Sequence, residues 1–472
     1  MFGGLTKTSS RIAIAAALGL TLGGYAMSTP AKAADLGGDC CADLEERVAE
    51  LEATTVRKGN KKVSVTLSGW VVKTINYWDD GSLDHVVVGD KDYDLGSRFA
   101  ITGQATIAPG WTGGYNLTVL APSDVFGFGS NQFDDLPGGP LTINTLYSYM
   151  FIKSDKYGAI NWGSLSPASD NPAVLADLSG TVIESNAVFF EGPGFLLRPN
   201  GGPGGIAGLS GLTWGNFLTC TGLGAGIGVD CWGAAQPAVR YDSPTFGGFR
   251  IETSYGSNSL TGPFFQANDA DFWDIAAFYT GDWGNFKVSA AYAYTWIETA
   301  VTTGNEGDLH QAGASVMHTP SGLGIYGLYQ NEDSNGAEQS DAWYLKPFIK
   351  KTWSPLGATV LFGEYGEYND QFAGTQGDVC GAFAGLGTTN AGAFCGAALG
   401  NTLFVTDSEV QRWGLGVMQE IDSAAMHVFA RWQHQDIDLD LNGFAGGVGP
   451  ALDVNQGFDS WDLFQVGGVI FF

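Results

Sequence analysis

The sequence predicts an all-β chain: a 16-stranded antiparallel transmembrane β-barrel with short periplasmic turns, long outer loops and a short helical segment ahead of it. Three observations predict it. The last stretch reads as a strand down to the final residue, seven tight turns alternate with eight long loops, and the strands carry one apolar and one polar face.

The terminal stretch, Asp459 to Phe472, reads DSWDLFQVGGVIFF and contains no proline. Soluble chains usually end in a frayed polar tail. An apolar end implies that the last strand is paired on both sides and covered on its outer face, which a closed barrel in lipid supplies. Taken alone, the stretch suits the edge strand of a soluble sandwich equally well.

Composition narrows the class. The 472 residues include 70 glycines and 13% aromatics, and the formal net charge is −27. Phosphate binding needs clustered Lys and Arg, so this balance argues against nucleic acid as a partner; it suits cations or a solvated surface. No linker divides the chain, so one large β domain at 62–472 is expected. Residues 1–33 read as a signal peptide, with Lys7 and Arg11, an apolar run from Ile12 to Gly24, and Ala31-Lys32-Ala33 as a small-x-small cleavage site. The run is too short for a helical span. Residues 34–61 read as a periplasmic segment in which Leu44, Val48 and Leu51 mark a short coiled-coil-like helix over Asp43–Thr55, either a coiled coil between subunits or a solvated spacer.

Six cysteines follow the signal, an even number in an oxidising compartment. Cys220 with Cys231, and Cys380 with Cys395, each flank a glycine-rich loop and read as two local disulfides; a metal site is the alternative, without a CxxC or nearby His to support it. Adjacent Cys40 and Cys41 do not readily pair with each other.

From Lys62 the chain repeats strand, tight turn, strand, long loop. The turns fall at 109–111, 155–158, 243–247, 281–284, 319–322, 354–357 and 422–423. The loops fall near 78–92, 122–141, 166–237, 257–269, 299–307, 333–339, 369–406 and 438–458, which sets the strand number at sixteen. Phe286, Val288, Ala290, Tyr292, Tyr294 and Trp296 share one face of a strand, while Lys287, Ser289, Ala291, Ala293 and Thr295 share the other. Leu95, Phe99 and Ile101 likewise oppose Arg98, Thr102 and Gln104, and Val428, Ala430 and Trp432 oppose His427, Arg431 and Gln433. Sixteen strands with polar second faces enclose a wide lumen.

Three stretches resemble the general porins of Gram-negative outer membranes, closest to the alphaproteobacterial branch. Val239 to Phe249 (VRYDSPTFGGF) is similar to that family's strand-turn-strand signature, the signal followed by DLEERVAELEA and VSVTLSGWV resembles the branch's amino end, and Phe472 matches its terminal aromatic. The resemblance implies a homotrimer in outer-membrane lipid, no cofactor, and passage of small hydrophilic solutes and ions. It also implies that the loop after the fifth strand, here 166–237, folds inward as a constriction.

That loop carries Asp170, Asp177, Glu184 and Glu191 at spacings of seven, and Asn171-Pro172 with Gly180 reads as a capped short helix. The resemblance sets basic wall residues opposite such acids, and alternation places Arg98, Arg240, Arg250, Lys287, Lys346, Lys350, Arg412 and Arg431 on the inner face. Opposed charges orient water and dipolar solutes; interior acid excess favours cations. The alternatives are solvated loop acids, and arginines that pair with neighbours only to stabilise the wall. The loop is longer than the family pattern, and 201–228 carries no charge.

No nucleophile or phosphate-loop motif occurs, and the five histidines show no ligand spacing. Gly222 to Gly228 lacks the βαβ setting of a dinucleotide loop. The expectation is therefore an outer-membrane diffusion channel and not an enzyme. A sugar-specific channel is the alternative if Trp162, Phe189 and Phe190 line a path, and a secreted β-rich adhesin is a further one.

Overall fold

The computed structural model describes residues 62–92, 95–121, 130–133, 143–218, 228–230, 235–257, 271–298, 306–334, 339–372, 377–398, 400–447 and 449–472. The expected signal, the helix at 43–55, Cys40, Cys41 and the Cys220–Cys231 pair lie outside them.

Strands β1 (Ser64–Asp79), β2 (Asp84–Gly89), β3 (Arg98–Ala108), β4 (Trp111–Leu120), β5 (Asn144–Ser154), β6 (Gly158–Leu165), β7 (Gln236–Asp242), β8 (Phe249–Ser257) and β9 (Asp271–Trp283) form the first half. The second half comprises β10 (Phe286–Glu298), β11 (Glu306–His318), β12 (Leu323–Ser334), β13 (Ser340–Ser354), β14 (Gly357–Asn369), β15 (Thr402–Ile421), β16 (Met426–Phe444), β17 (Ala451–Asp453) and β18 (Trp461–Phe471). All but β2 and β17 make one closed antiparallel ring of sixteen, in chain order, in which β18 returns to β1. At the seam Trp70 faces Phe471, and Gly69 and Phe472 exchange both backbone hydrogen bonds at 2.9 and 3.1 Å, so the chain is paired to its last residue.

The two extra strands correct two loop boundaries. β2 pairs with Thr74–Asp79 on the edge of β1 whose lower part holds β3, and β17 pairs with β16 in line with β18. The expected loops at 78–92 and 438–458 are thus partly strand, because the wall extends beyond the point where apolar alternation fades. All seven tight turns are hairpins of the ring, and left-handed glycines close several of them: Gly110 (φ 77°) and Gly158 (φ 85°) adopt backbone angles that a Cβ disfavours.

Residues 90–92 and 95–97 lie off the ladder between β2 and β3, and side chains take over the pairing that β1 loses there. Val72 donates its backbone N–H to Ser97 Oγ (3.1 Å), Ser97 Oγ donates to Val72 O (3.3 Å), and Asp90 Oδ1 accepts from Ser97 N (3.0 Å). Leu95, expected on the outward face, instead packs against the interior, and its carbonyl accepts the Trp70 indole N–H.

Alternation along each strand divides outside from inside. Ile251, Tyr255, Trp273, Ile275, Val466 and Ile470 are exposed on the outer surface, while the residues between them, such as Glu252, Ser254, Asp274, Gln465 and Val469, are buried within. Exposed aromatics mark both rims: Trp111, Phe249, Trp283, Phe286 and Phe472 at the short-turn end, and Tyr255, Trp273, Tyr292, Tyr329 and Phe464 towards the other. From Phe286 to Trp296 the tilted strand rises roughly 26 Å, the height of a bilayer's hydrocarbon layer.

Candidate functional site: the inner loop

The connection from β6 to β7 does not lie over the rim. Its described part, from Ser166 to Leu218, runs along the inner wall and meets inward side chains of strand after strand. Ala168 N donates to Ser254 Oγ on β8 (2.9 Å), and Ser169 donates through backbone and hydroxyl to Asp274 on β9 (2.8 and 2.7 Å). The Gln311 amide on β11 and the Tyr326 hydroxyl on β12 donate to the carbonyls of Ser169 (3.1 Å) and Ala173 (2.8 Å). Gly313 makes this approach possible, because a Cβ there would strike the Ala173 carbonyl. Further along, Lys346 on β13 donates to Asp177 (3.0 Å) and Tyr368 on β14 to Ala187 O (2.5 Å). Arg412 on β15 donates to the carbonyls of Asn186 and Val188. Phe189 and Phe195 then pack against Trp461 on β18. The expected short helix is only a 3-10 turn, Val174–Ala176, since Asn171 takes a left-handed φ of 61° where a cap would need extended backbone.

Three of the four acids on this loop are fixed by bases of the wall. Asp177 meets Lys346, and Glu184 meets His427 Nδ1 at 2.6 Å. Glu191 is shared between Arg431 (2.6 Å) and Lys91, all three within 5% exposure. Burial alone would push the Glu191 carboxyl up; Arg431 and Lys91 outweigh it and hold the group down at about 2. Asp170 stays local and accepts from Ser166 Oγ (2.5 Å). The wall bases are likewise engaged: Arg240 with Asp242 (2.7 Å), Arg250 with Glu252 (3.1 Å) over the Phe278 ring, and Lys350 with Glu420 (2.6 Å). Lys287 is exposed near the short-turn end. Acid and base therefore touch, where sequence alone suggested that they face each other across water.

Lys91 and His427 were not singled out from sequence. Nothing local marks Lys91, which lies off the ladder just after β2; His427 could have been found, since it lies on the polar row of β16 with Arg431. The buried pair of Arg198 with Asp80 (2.8 Å), near the outer mouth, left no sequence signal either. Beside it, Asn200 and Gly211 donate backbone N–H groups to Gly457 O (2.8 Å) and Ala382 O (2.7 Å), knitting the inner loop to the loops around 382 and 457. The loop near 382 carries the Cys380–Cys395 disulfide and helix α1 (Asn390–Ala397), where the Thr389 hydroxyl accepts from Gly392 N (3.0 Å). Phe189 and Phe190 are buried and line no open path, and Trp162 shares the outward row of Ile160.

Loop contacts with the wall run from β7, where Arg240 donates to Ser166 O (2.6 Å), round to β1. The inner rows of β3, β4 and β5 form the remaining arc, with Arg98, Thr102, Gln104, Asn116, Thr118, Tyr149 and Lys153. Gln104 and Thr106 on it are exposed to the interior.

A family model described as Gram-negative porin matches residues 15–439. No curated protein matches the chain. Among solved structures, the anion-selective porin from Comamonas acidovorans is similar at 16% identity, covering 87% of this chain and 100% of its own, with a TM-score of 0.54. OprB of Pseudomonas putida covers 91% of this chain and 97% of its own at 11% identity and a TM-score of 0.52. At such identities the likeness is one of fold.

Proposed function

Because the chain belongs to the Gram-negative porin family, we propose that its inner loop is the constriction of an outer-membrane diffusion channel and that solutes pass between this loop and the arc β3–β5. The protein is an outer-membrane porin, with strands that cross the bilayer and a polar interior. One observation carries the finer reading: loop residues 166–195 are held to the wall by ion pairs and hydrogen bonds on nine strands from β7 to β16, and to β18 by ring contacts, while Gln104 and Thr106 on the inner row of β3 stay exposed. The loop thus narrows the lumen from one side and leaves a polar strip open on the other. Small hydrophilic solutes and ions exchange hydration for the hydroxyls and amides of that strip, while apolar molecules gain nothing there. The assembly is a homotrimer of such barrels, with no cofactor and no catalysis.

The test is single-channel recording of the purified protein in planar bilayers. The reading requires discrete steps that grow when the loop is released and shrink when bulk is added to the strip, for example with Thr102→Trp. Steps indifferent to Thr102→Trp would refute the route along β3–β5.

A further inference from the structure

Above the outer aromatic rim the wall changes character on one side. On β16 the outward row stays apolar up to Trp432, with Gln433 and Gln435 on the inward row. Beyond them the two rows exchange roles: Asp436, Asp438 and Asp440 lie outward, and Ile437, Leu439 and Leu441 are buried inward. The outer ends of β18 and β1 do the same, with Asp462 and Asp79 outside and Trp461, Leu463 and Trp78 buried inside. Outside, the exchange follows from leaving hydrocarbon for water. Inside, it has no such cause, because an aqueous pore is as wet at its mouth as at its middle. Buried apolar side chains there mean that something dry fills the space between them.

The filling is the second half of the inner loop. Residues 195–214 double back on themselves: Leu197 N donates to Leu212 O (2.7 Å) and Trp214 N to Phe195 O (2.9 Å). The Phe195 ring meets those of Trp78 and Trp461 at centroid distances of 4.9 and 5.2 Å, and Phe217 stacks on Phe372 at 4.9 Å. Leu197, Leu212 and Trp214 join the same buried cluster, which Phe383 and Leu386 of the disulfide-bearing loop complete. The Trp461 indole N–H is buried there and meets no acceptor among the described residues, as in a site without water. From Pro199 to Leu218 the loop carries no charge. It thus has two tiers. Residues 166–191 meet the wall mainly through charges, hydroxyls and carbonyls; residues 195–218 meet it through rings and aliphatic chains.

We propose that residues 195–218 are a fixed apolar plug in the outer half of the barrel, packed against β15, β16, β18 and β1, and that this plug sets the size limit for solutes arriving from the outer side. Close packing makes it rigid, and the absence of charge leaves ion preference to the rest of the passage. The proposal rests on the channel reading and deepens it by placing a filter for size apart from any filter for charge.

The test uses the full-length protein inserted in one orientation in planar bilayers, with neutral polyethylene glycols of graded mass added to one side at a time. Polymers that enter the channel lower its conductance. In the wild type the cut-off is expected at a smaller polymer from the outer side than from the inner side. Phe195→Asn sets an unsatisfied amide among the rings and is expected to shift the outer cut-off to a larger polymer. The inner cut-off and the reversal potential in a KCl gradient stay at their wild-type values. Trp214→Ala hollows the same core without adding a polar group; it guards against a folding failure in the first variant and shifts the outer cut-off the same way. Equal cut-offs on the two sides of the wild type, or an outer cut-off unchanged in both variants, would overturn the plug. Absence of current from the wild type would refute the channel itself.

Discussion

Replacing Glu191 with Gln tests how the inner loop is held. The substitution keeps size and shape but leaves Lys91 and Arg431, both nearly inaccessible to water, facing an uncharged partner. Removing one member of a buried ion pair typically costs about 3–5 kcal/mol. The carboxyl's own titration leads to a similar size: its value falls from 4.5 to about 2 on folding, and at about 1.4 kcal/mol per unit that is about 3 kcal/mol. Because the folded value is the lower one, this stabilisation is fully present above about 4.5 and is lost as pH falls through about 2. The ladders of sixteen strands do not depend on it, so the cost falls on the loop. We expect Glu191→Gln to leave the β-sheet signal intact while raising single-channel conductance and current noise. It also makes Phe189 and Phe190, buried in the wild type, open to chymotrypsin in the folded barrel. Wild-type protein brought to about pH 3 is expected to move part-way towards the variant's behaviour. A variant with wild-type conductance and a protected loop would show that the hydrogen bonds elsewhere suffice and that the triad is not the latch.

Other perturbations separate wall, loop and lipid face. Gly313→Ala places a methyl group against the Ala173 carbonyl and is expected to displace the loop start, increasing conductance without lowering the melting temperature of the barrel. Val466→Arg puts a charge on the outward row of β18 and is expected to cost about 2–4 kcal/mol in folding into vesicles, while Gln104→Arg, on the exposed inner row of β3, folds normally; equal penalties would contradict the assignment of faces. Reducing the Cys380–Cys395 bond, which closes a loop with sequence separation 15, is expected to release about 3 kcal/mol of local constraint and speed amide exchange over α1, leaving the strands protected.

The ring was legible from sequence because its determinants are local. Every tight turn carries its own signal in Pro, Gly, Asp or Ser, and period-two alternation places Lys346, Arg412 and Arg431 on the inner face without knowledge of their partners. The terminal pairing of Phe472 with Gly69 was legible for the same reason: an apolar carboxyl end has few other ways to satisfy its backbone. What failed was non-local. Strand β2 sits in a stretch that reads as loop because Asp80, Gly81 and Asp84 surround it, and it persists because β1 offers an edge at Thr74–Asp79. The spacing of seven in Asp170, Asp177, Glu184 and Glu191 does not gather the four at one point: Asp170 stays with Ser166, Asp177 meets Lys346 on β13, and Glu184 and Glu191 meet His427 and Arg431 on β16. Lys91 acts from a position off the ladder that no periodicity announces.

Charge placement around the passage leads to a last prediction. A net charge of −27 suggests that the channel favours cations, but selectivity depends on uncompensated charge along the path and not on the total. Inside the barrel, Asp177 and Glu191 each touch a charged base, Glu191 touches two, and Glu184 is hydrogen-bonded to His427. An ion passing such a pair feels a dipole at close range and little net field beyond it, because opposite charges within contact distance cancel over one Debye length, about 8 Å at physiological salt. The inner rows of β3–β6 carry Arg98 and Lys153 and, among the described residues, no acid. On the proposed route the described lining therefore carries bases and no acid although the chain is acidic. Reversal potentials across a KCl gradient are expected to indicate chloride preference that persists at high salt, and to shift towards potassium in Arg98→Gln. A potassium preference in the wild type that survives high salt would mean that the loop carboxylates are not neutralised by their partners as these ion pairs require.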